Sequence, residues 1–407
     1  MSNTRERYDA LRALGLKLDL TRGQPGDDNF DVSNGMLTIV DDKSLVTPSG
    51  VALRNYPGGI AGIKEARALF APMLGVQPEE IIVGNNASLA LLGNVLMWAM
   101  LKGVPGSPSP WCRGAAVKVI VTVPGYDRHF LMLERLGITM IPVGMNSDGP
   151  DIAAIEKLIA SDASVKGLLC VPTYSNPTGD TTSQAVADRL AAMKTAAPDF
   201  TIFADDAYAV HHLDETPPPH PALRGAAKKA GHPTRVILFG STSKITFAGA
   251  GVSFLAGSKE TIAWIGGLMG TQMITPNKVE QYRHVLFLGR YPGGIAGVMK
   301  AHAKLLAPKF AVVHEVLSRE LEGKGLARWT QPKGGYFVSL DTEKPVASKV
   351  VDLAKEAGVA LTPAGATYPF GKDPNNRNIR ISPTRPPLDQ VRKAMEVVAI
   401  CVQLASE

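Results

Sequence analysis

The sequence predicts an α/β protein: a large domain with a mostly parallel, seven-stranded sheet flanked by helices, followed by a smaller C-terminal α+β domain. Three observations carry that expectation. Short runs rich in Val, Ile and Leu recur between about residues 80 and 257. Helical stretches separate most of them, and strands that alternate with helices make parallel sheets covered on both faces. After about residue 290 the alternation stops and a mixed pattern begins. At 407 residues the chain also exceeds what one simple core accommodates.

Residues 1–50 read as a helix and an extended arm punctuated by Gly and Pro (TRGQPGDDNFDVSNG), packing with the smaller domain. Residues 51–289 form the large domain. Its strands are expected at Ile81–Val83, Val117–Val123, Thr139–Val143, Gly167–Pro172, Phe200–Ala204, Arg235–Phe239 and Val252–Ala256. Intervening helices are expected at Ser88–Leu101, Asp151–Ala160 and Ser183–Ala196. The continuous apolar character of the strands suits burial on both faces. Residues 290–407 read as a long helical run, a strand at GGYFVSLD, a helix over Ala347–Ala357, a strand at NIRISP and a closing helix over Leu388–Leu404. The heptapeptide beginning at Tyr56 (YPGGIAG) recurs at Tyr291, but its flanks differ, so it is read as coincidence.

Composition narrows the function classes. A hydrophobic share of 45% and a charged share of 20% describe an ordinary globular chain rather than a disordered one. The net charge of +6 is spread along the sequence without a basic run, so no nucleic-acid partner is expected. Cys112, Cys170 and Cys401 are far apart and odd in number, which points to a reducing cytoplasm. The N-terminus lacks a signal-type apolar run. The longest apolar stretch, Leu89 to Leu101, is short and interrupted by Gly93 and Asn94, so no membrane insertion is expected. His211 and His212 have no third ligand at metal spacing, so no metal site is expected. His129 reads as a packed or surface histidine.

The candidate chemistry lies where strands end, the place where open α/β sheets bind ligands. Ser241-Thr-Ser-Lys244 follows the strand Arg235–Phe239. A lysine there either snorkels to solvent or, with a lowered pKa, attacks a carbonyl as an amine nucleophile. Phe203-Ala-Asp-Asp-Ala-Tyr208 ends another apolar strand. Its acids either cap a corner or face a cation such as a protonated pyridine nitrogen, with Asp205 preferred and Asp206 the alternative. Tyr174-Ser-Asn-Pro-Thr-Gly179 is by itself a turn signal. Gly84-Asn-Asn-Ala-Ser88 leads into a long helix, whose first N–H groups either take an ordinary serine cap or bind a phosphate. Arg380, inside Asn378-Ile-Arg-Ile-Ser-Pro, needs an anion, and its planar fork matches a carboxylate.

Together, and in this order along the chain, these motifs resemble the fold-type I, class I/II aminotransferases that depend on pyridoxal 5′-phosphate (PLP). Leu20-Thr-Arg-Gly, Arg54-Asn-Tyr, Val123-Pro-Gly-Tyr-Asp-Arg-His-Phe130, Lys333-Gly-Gly-Tyr-Phe337 and Leu361-Thr-Pro-Ala-Gly-Ala-Thr367 look like the divergent bacterial aspartate-aminotransferase-like (MocR-like) subgroup. The resemblance implies that Lys244 carries PLP as a Schiff base and moves the substrate proton. It implies that Asp205 pairs with the pyridinium nitrogen, that Asn176 and Tyr208 bond the ring oxygen, and that Tyr126 stacks on the ring. Asn86, Ala87, Ser88 and Ser241, with Ser243 a helper, would hold the phosphate. Tyr56 would reach the phosphate of a neighbouring subunit, so the active unit would be a homodimer. Arg380, beside the backbone of Gly23, would bind the substrate α-carboxylate. For a second carboxylate, Arg22, Lys278 and Arg385 are candidates. The reaction implied is ping-pong transfer of an amino group from an L-amino acid, best aspartate, to a 2-oxo acid, best 2-oxoglutarate. β-Elimination or decarboxylation with the same cofactor, or a sensing domain without turnover, are the alternatives. One departure stands out: many class I enzymes have an Arg eight residues after the lysine, and here that position is Val252.

Overall fold

The computed structural model describes residues 3–407; residues 1 and 2, at the start of the expected N-terminal helix, lie outside the described residues. The central sheet runs in the order Ile81–Val83, Ser253–Ala256, Val236–Ser241, Thr201–Asp205, Val165–Cys170, Lys118–Val123, Thr139–Asn146 and Gly149–Pro150. The run from Val236–Ser241 to Thr139–Asn146 is parallel throughout. Ser253–Ala256 is antiparallel to both its neighbours. The seven expected strands are all present. The eighth, Gly149–Pro150, is a two-residue antiparallel extension of Thr139–Asn146 and too short to leave a period-two pattern in the sequence.

The side-chain alternation of a strand explains the apolar runs. On Lys118–Val123, Ile120 packs into the core on one face, and Val119 and Val121 pack into the core on the other. Ile202 and Ala204 face the first core and Phe203 the second. Fully burying one such Val, Ile or Phe is worth about 1.5–3 kcal/mol, so neither parity of the strand tolerates polar residues. Parallel pairing also brings the carboxyl ends of four of these strands to one edge, where Asp205 ends one strand and Tyr126, Asn176 and Lys244 follow the others in sequence.

The C-terminal part has its own core, built on the helices Gly294–Leu321, Ala347–Glu356 and Leu388–Ser406. They cover a three-stranded antiparallel sheet ordered Ala327–Trp329, Val338–Thr342, Asn378–Ile381. Tyr8 of the helix Asn3–Arg12 and Leu20 are buried in the same core. Leu18–Asp19 pairs in parallel with Val359–Ala360.

Two expectations need correction and one gains a neighbour. The arm is not wholly extended: Asp27–Asp31 is a short helix, because the Asn29 side chain folds back to accept from the Gly26 amide at 3.2 Å. The long helical run expected from about residue 290 is the single helix Gly294–Leu321, and a separate helix, Lys278–Arg290, precedes it, the two parted where Gly293 takes φ 79°. That break falls on the repeated Tyr-Pro-Gly-Gly. The strand expected at GGYFVSLD begins only at Val338. A Cβ on Gly334 would strike the Tyr174 ring, so the glycine pair is needed where this segment crosses the tyrosine. Among the described residues no helix is long and apolar enough to cross a membrane.

Candidate active site

The edge residues converge on one cavity of about 190 Å³, lined by Ala87, Ser88, Tyr126, Asn176, Asp205, Tyr208, Ser241, Ser243 and Lys244, among others. Lys244 enters it past two aromatic faces, with Nζ 5.0 Å from the Tyr208 ring centre and 6.0 Å from that of Tyr336. Burial lowers the Lys244 pKa and the nearby Asp205 carboxylate opposes the shift. The balance is a lysine that is more readily neutral, and so more nucleophilic, than one in water.

Asp205 is 5% exposed, and its two oxygens are treated differently. His129 Nε2 donates to Oδ2 at 2.9 Å, while Oδ1 is buried with no partner. A buried carboxylate oxygen left unpaired is costly, and because Asp205 lines the cavity this one can accept from a donor placed there. Asp206, the alternative acid, is paired with His220 Nε2 at 2.5 Å and does not line the cavity. Burial lowers the His220 pKa, but its hydrogen bond to Asp206 and that carboxylate's charge outweigh burial and raise it above the ordinary 6.5. A raised folded-state value means stabilisation in full below about pH 6.5, lost as pH rises through the raised value. His220→Gln is therefore expected to destabilise the fold more at about pH 5.5 than at about pH 8.5, which urea unfolding at the two pH values checks.

Tyr126 caps the helix Asp127–Arg135, and its ring meets that of His129 edge-on, with centroids 5.0 Å apart. Burial, then the Asp205 and Asp127 charges, push its pKa up to about 12. Burial likewise holds the Tyr208 hydroxyl well above its usual range, so both phenols are available as donors. Asn176 is 2% exposed and its Oδ1 accepts from Arg380 Nη1 at 3.4 Å, which leaves its NH₂ as the donor end.

One end of the cavity is lined by a helix start and serine hydroxyls, groups that can take an anion. The helix Ser88–Lys102 starts there without a side-chain cap, so its first amides are uncommitted. Ser241 Oγ donates to Ser243 Oγ at 3.1 Å, Ser243 Oγ to Asn86 Oδ1 at 3.2 Å, and Asn86 Nδ2 to the Ala248 carbonyl at 2.9 Å. Val252 is packed in the sheet core, 1% exposed, and brings no charge to this end of the cavity.

Arg380 sits in Asn378–Ile381, opposite Ser339 of the neighbouring strand, with its guanidinium 5.0 Å from the Phe337 ring centre. Gly23 lies against the tip of that ring: a Cβ there would run into Phe337. Gly23→Ala should displace the ring beneath Arg380 and raise the KM for amino-acid substrate by about ten-fold, with a smaller change in kcat. Steady-state kinetics decide this.

The other candidate cations separate. Lys278 is 3% exposed, and Nζ donates to the carbonyls of Ala52, at 2.6 Å, Asn55 and Pro57. Its three protons are committed to clasping the 52–57 loop, so it is not a substrate cation. Arg385 is 3.6 Å from Asp19, and Arg22 is exposed beside Gly23. The clasped loop presents Tyr56, 66% exposed, whereas Tyr291 is packed edge-on against Phe287. The His129–Asp205 contact was missed in the sequence. Its partner lies 76 residues further along the chain, so no local pattern marks it. Among the described residues no cluster of His, Cys, Asp and Glu is arranged to hold a metal.

A family model described as aspartate amino-transferase matches residues 1–407. An aspartate aminotransferase of Corynebacterium glutamicum is 46% identical over 402 residues, covering 99% of this chain and 92% of the relative. A crystal structure of an aspartate transaminase from that organism superposes with a TM-score of 0.96 at 45% identity, covering 99% of this chain and 95% of the other. The α-aminoadipate aminotransferase LysN of Thermus thermophilus, solved with N-(5′-phosphopyridoxyl)-L-leucine, shares the fold with a TM-score of 0.77 at 22% identity, covering 100% of this chain and 97% of the other.

Proposed function

The chain belongs to the aspartate aminotransferase family, and on that premise we propose that it exchanges the amino group of aspartate for the oxo group of 2-oxoglutarate with pyridoxal 5′-phosphate as its cofactor. The observation that carries the cofactor is the pairing of Lys244 with the unpartnered Oδ1 of Asp205 across one small cavity. A carboxylate with one oxygen fixed by His129 and the other left without a donor fits a protonated ring nitrogen. The uncapped start of Ser88–Lys102 fits a phosphate.

When bound, PLP supplies an electron sink that acidifies the substrate α-carbon. The chain's own residues do the rest. Lys244 would hold the cofactor through its amine, and the same amine, when neutral, would be the group placed to move the substrate's α-proton. Asp205 keeps the ring nitrogen protonated, and His129 fixes the carboxylate that does so. Tyr126 covers the ring face, and Asn176 and Tyr208 donate to the ring oxygen. Asn86, Ala87, Ser88, Ser241 and Ser243 hold the phosphate with helix amides and hydroxyls, without the cation that Val252 replaces. Arg380, beside the Gly23 backbone, binds the α-carboxylate.

The same reading divides the chain into an N-terminal segment to residue 50, a cofactor domain over 51–289 and a small domain over 290–407. It also makes the active unit a homodimer in which Tyr56 reaches the partner's phosphate, and the three unpaired cysteines suit the cytoplasm.

The test is oxaloacetate formation from aspartate, which should require 2-oxoglutarate in stoichiometric amount. Turnover without any 2-oxo acid would overturn the proposal in favour of elimination or decarboxylation. With Lys278 committed to the loop, the exposed Arg22, next to the Gly23 backbone, is taken as the cation for the side-chain carboxylate. Arg22→Ala is expected to raise the KM for aspartate by about ten-fold or more and to leave the KM for alanine within about two-fold. Equal effects on both amino acids would remove that assignment.

A further inference from the structure

Arg380 already holds an anion. Nη1 donates to Asp127 Oδ1 at 3.0 Å and to Asn176 Oδ1 at 3.4 Å, Nε to Thr362 Oγ1 at 3.3 Å, and Nη2 to the Thr21 carbonyl at 3.5 Å. A guanidinium has five N–H groups, so only one, on Nη2, is left over. A carboxylate bound through two parallel N–H bonds needs two of them. One resident acceptor must therefore give way.

The structure points to which. The Thr21 carbonyl is backbone, and it also accepts from the Thr362 hydroxyl at 2.8 Å, which fixes both of those acceptors. Asn176 is neutral and 2% exposed. Asp127 carries the same charge and the same planar group as the substrate anion. Its side chain is 28% exposed, against 6% for Arg380, so it has water to turn towards. It is also the first residue of the helix Asp127–Arg135, where uncommitted amides stabilise a carboxylate that has left its partner.

We propose that Asp127 is a displaceable counterion, an internal competitor for the substrate carboxylate. It pairs with Arg380 between turnovers, yields Nη1 to the incoming α-carboxylate, and reclaims it as product leaves. This rests on the reading that Arg380 anchors the α-carboxylate. The arrangement keeps a nearly buried guanidinium paired at every stage, because an unpaired one would be costly. It also weakens substrate binding, since each substrate carboxylate must displace a resident one.

The sign of one substitution separates this role from a merely supporting one. A residue that only props Arg380 in place would weaken carboxylate binding when altered. A competitor would strengthen it. Succinate, a dicarboxylate with no amine to react, is the probe, titrated calorimetrically into the PLP-loaded enzyme. Asp127→Asn is expected to lower the succinate Kd by about five-fold, the scale of a partly exposed ion pair. The KM for aspartate should fall with it, and kcat should fall as product release slows. Asp127→Glu, which restores the charge, should return the Kd to within about two-fold of wild type. Asp127→Ser repeats the test should the Asn variant fail to retain its cofactor band. A Kd that is unchanged or raised in Asp127→Asn, while Arg380→Lys still destroys binding, overturns the counterion role alone. A Kd left unchanged by Arg380→Lys overturns the anchor reading, and the counterion proposal with it.

Discussion

Replacing Lys244 with alanine is expected to lower kcat for transamination by at least on the order of 10⁴, the largest effect of any single change in this chain. The side chain is assigned two tasks, covalent attachment of the cofactor and proton transfer at the substrate α-carbon, and nothing else in the cavity can take over either. Asp205 and the tyrosines line the same cavity, but Asp205 is assigned to the ring nitrogen and burial keeps both phenols protonated. Stability should move the other way. Burial lowers the Lys244 pKa, so folding disfavours its protonated form and lysine here costs stability at neutral pH. The alanine variant should therefore melt at the wild-type temperature or above it when both are compared without cofactor. A variant that retained more than about one part in a hundred of the activity would contradict the assignment.

Asp205→Asn should cost on the order of 10³ in kcat, with substrate KM changed much less. Asparagine keeps the size of the side chain but removes the charge that holds a ring nitrogen protonated. The partner effect is specific. His129's hydrogen bond to the cavity residues is the one to Asp205 Oδ2, so His129→Leu should cost less than Asp205→Asn. The double variant should be little worse than Asp205→Asn alone, because the two side chains act as one unit. Additive losses would show that His129 has a separate task, and kinetics on the three variants suffice to decide.

The sheet and most of the cavity could be read from the sequence because both are written in local patterns. Strands such as Thr201–Asp205 are apolar on both parities because each face meets a core, and the residues that follow them inherit the ligand-binding edge. Lys244, Asp205, Asn176, Tyr208 and Ser88 stand out for that reason. What could not be read depends on contacts far apart in sequence. His129 meets Asp205 across 76 residues, and Lys278 reaches carbonyls more than 220 residues away. Asp127 finds Arg380 at a separation of 253. A histidine or lysine on a helix carries no mark of such a partner, so Lys278 looked as eligible for substrate as Arg22 did. One helix is lost for a different reason. The short helix Asp27–Asp31 hides among residues that equally suit turns.

The central claim is that Lys244 carries a cofactor that accepts the amino group of aspartate. An absorbance spectrum of the purified protein tests it most directly, recorded with PLP before and after adding aspartate, with Lys244→Ala alongside. The account predicts a visible band that bleaches with aspartate, returns with 2-oxoglutarate, and does not form in the same way in the variant. A wild-type protein that shows no visible band even with added PLP would contradict it.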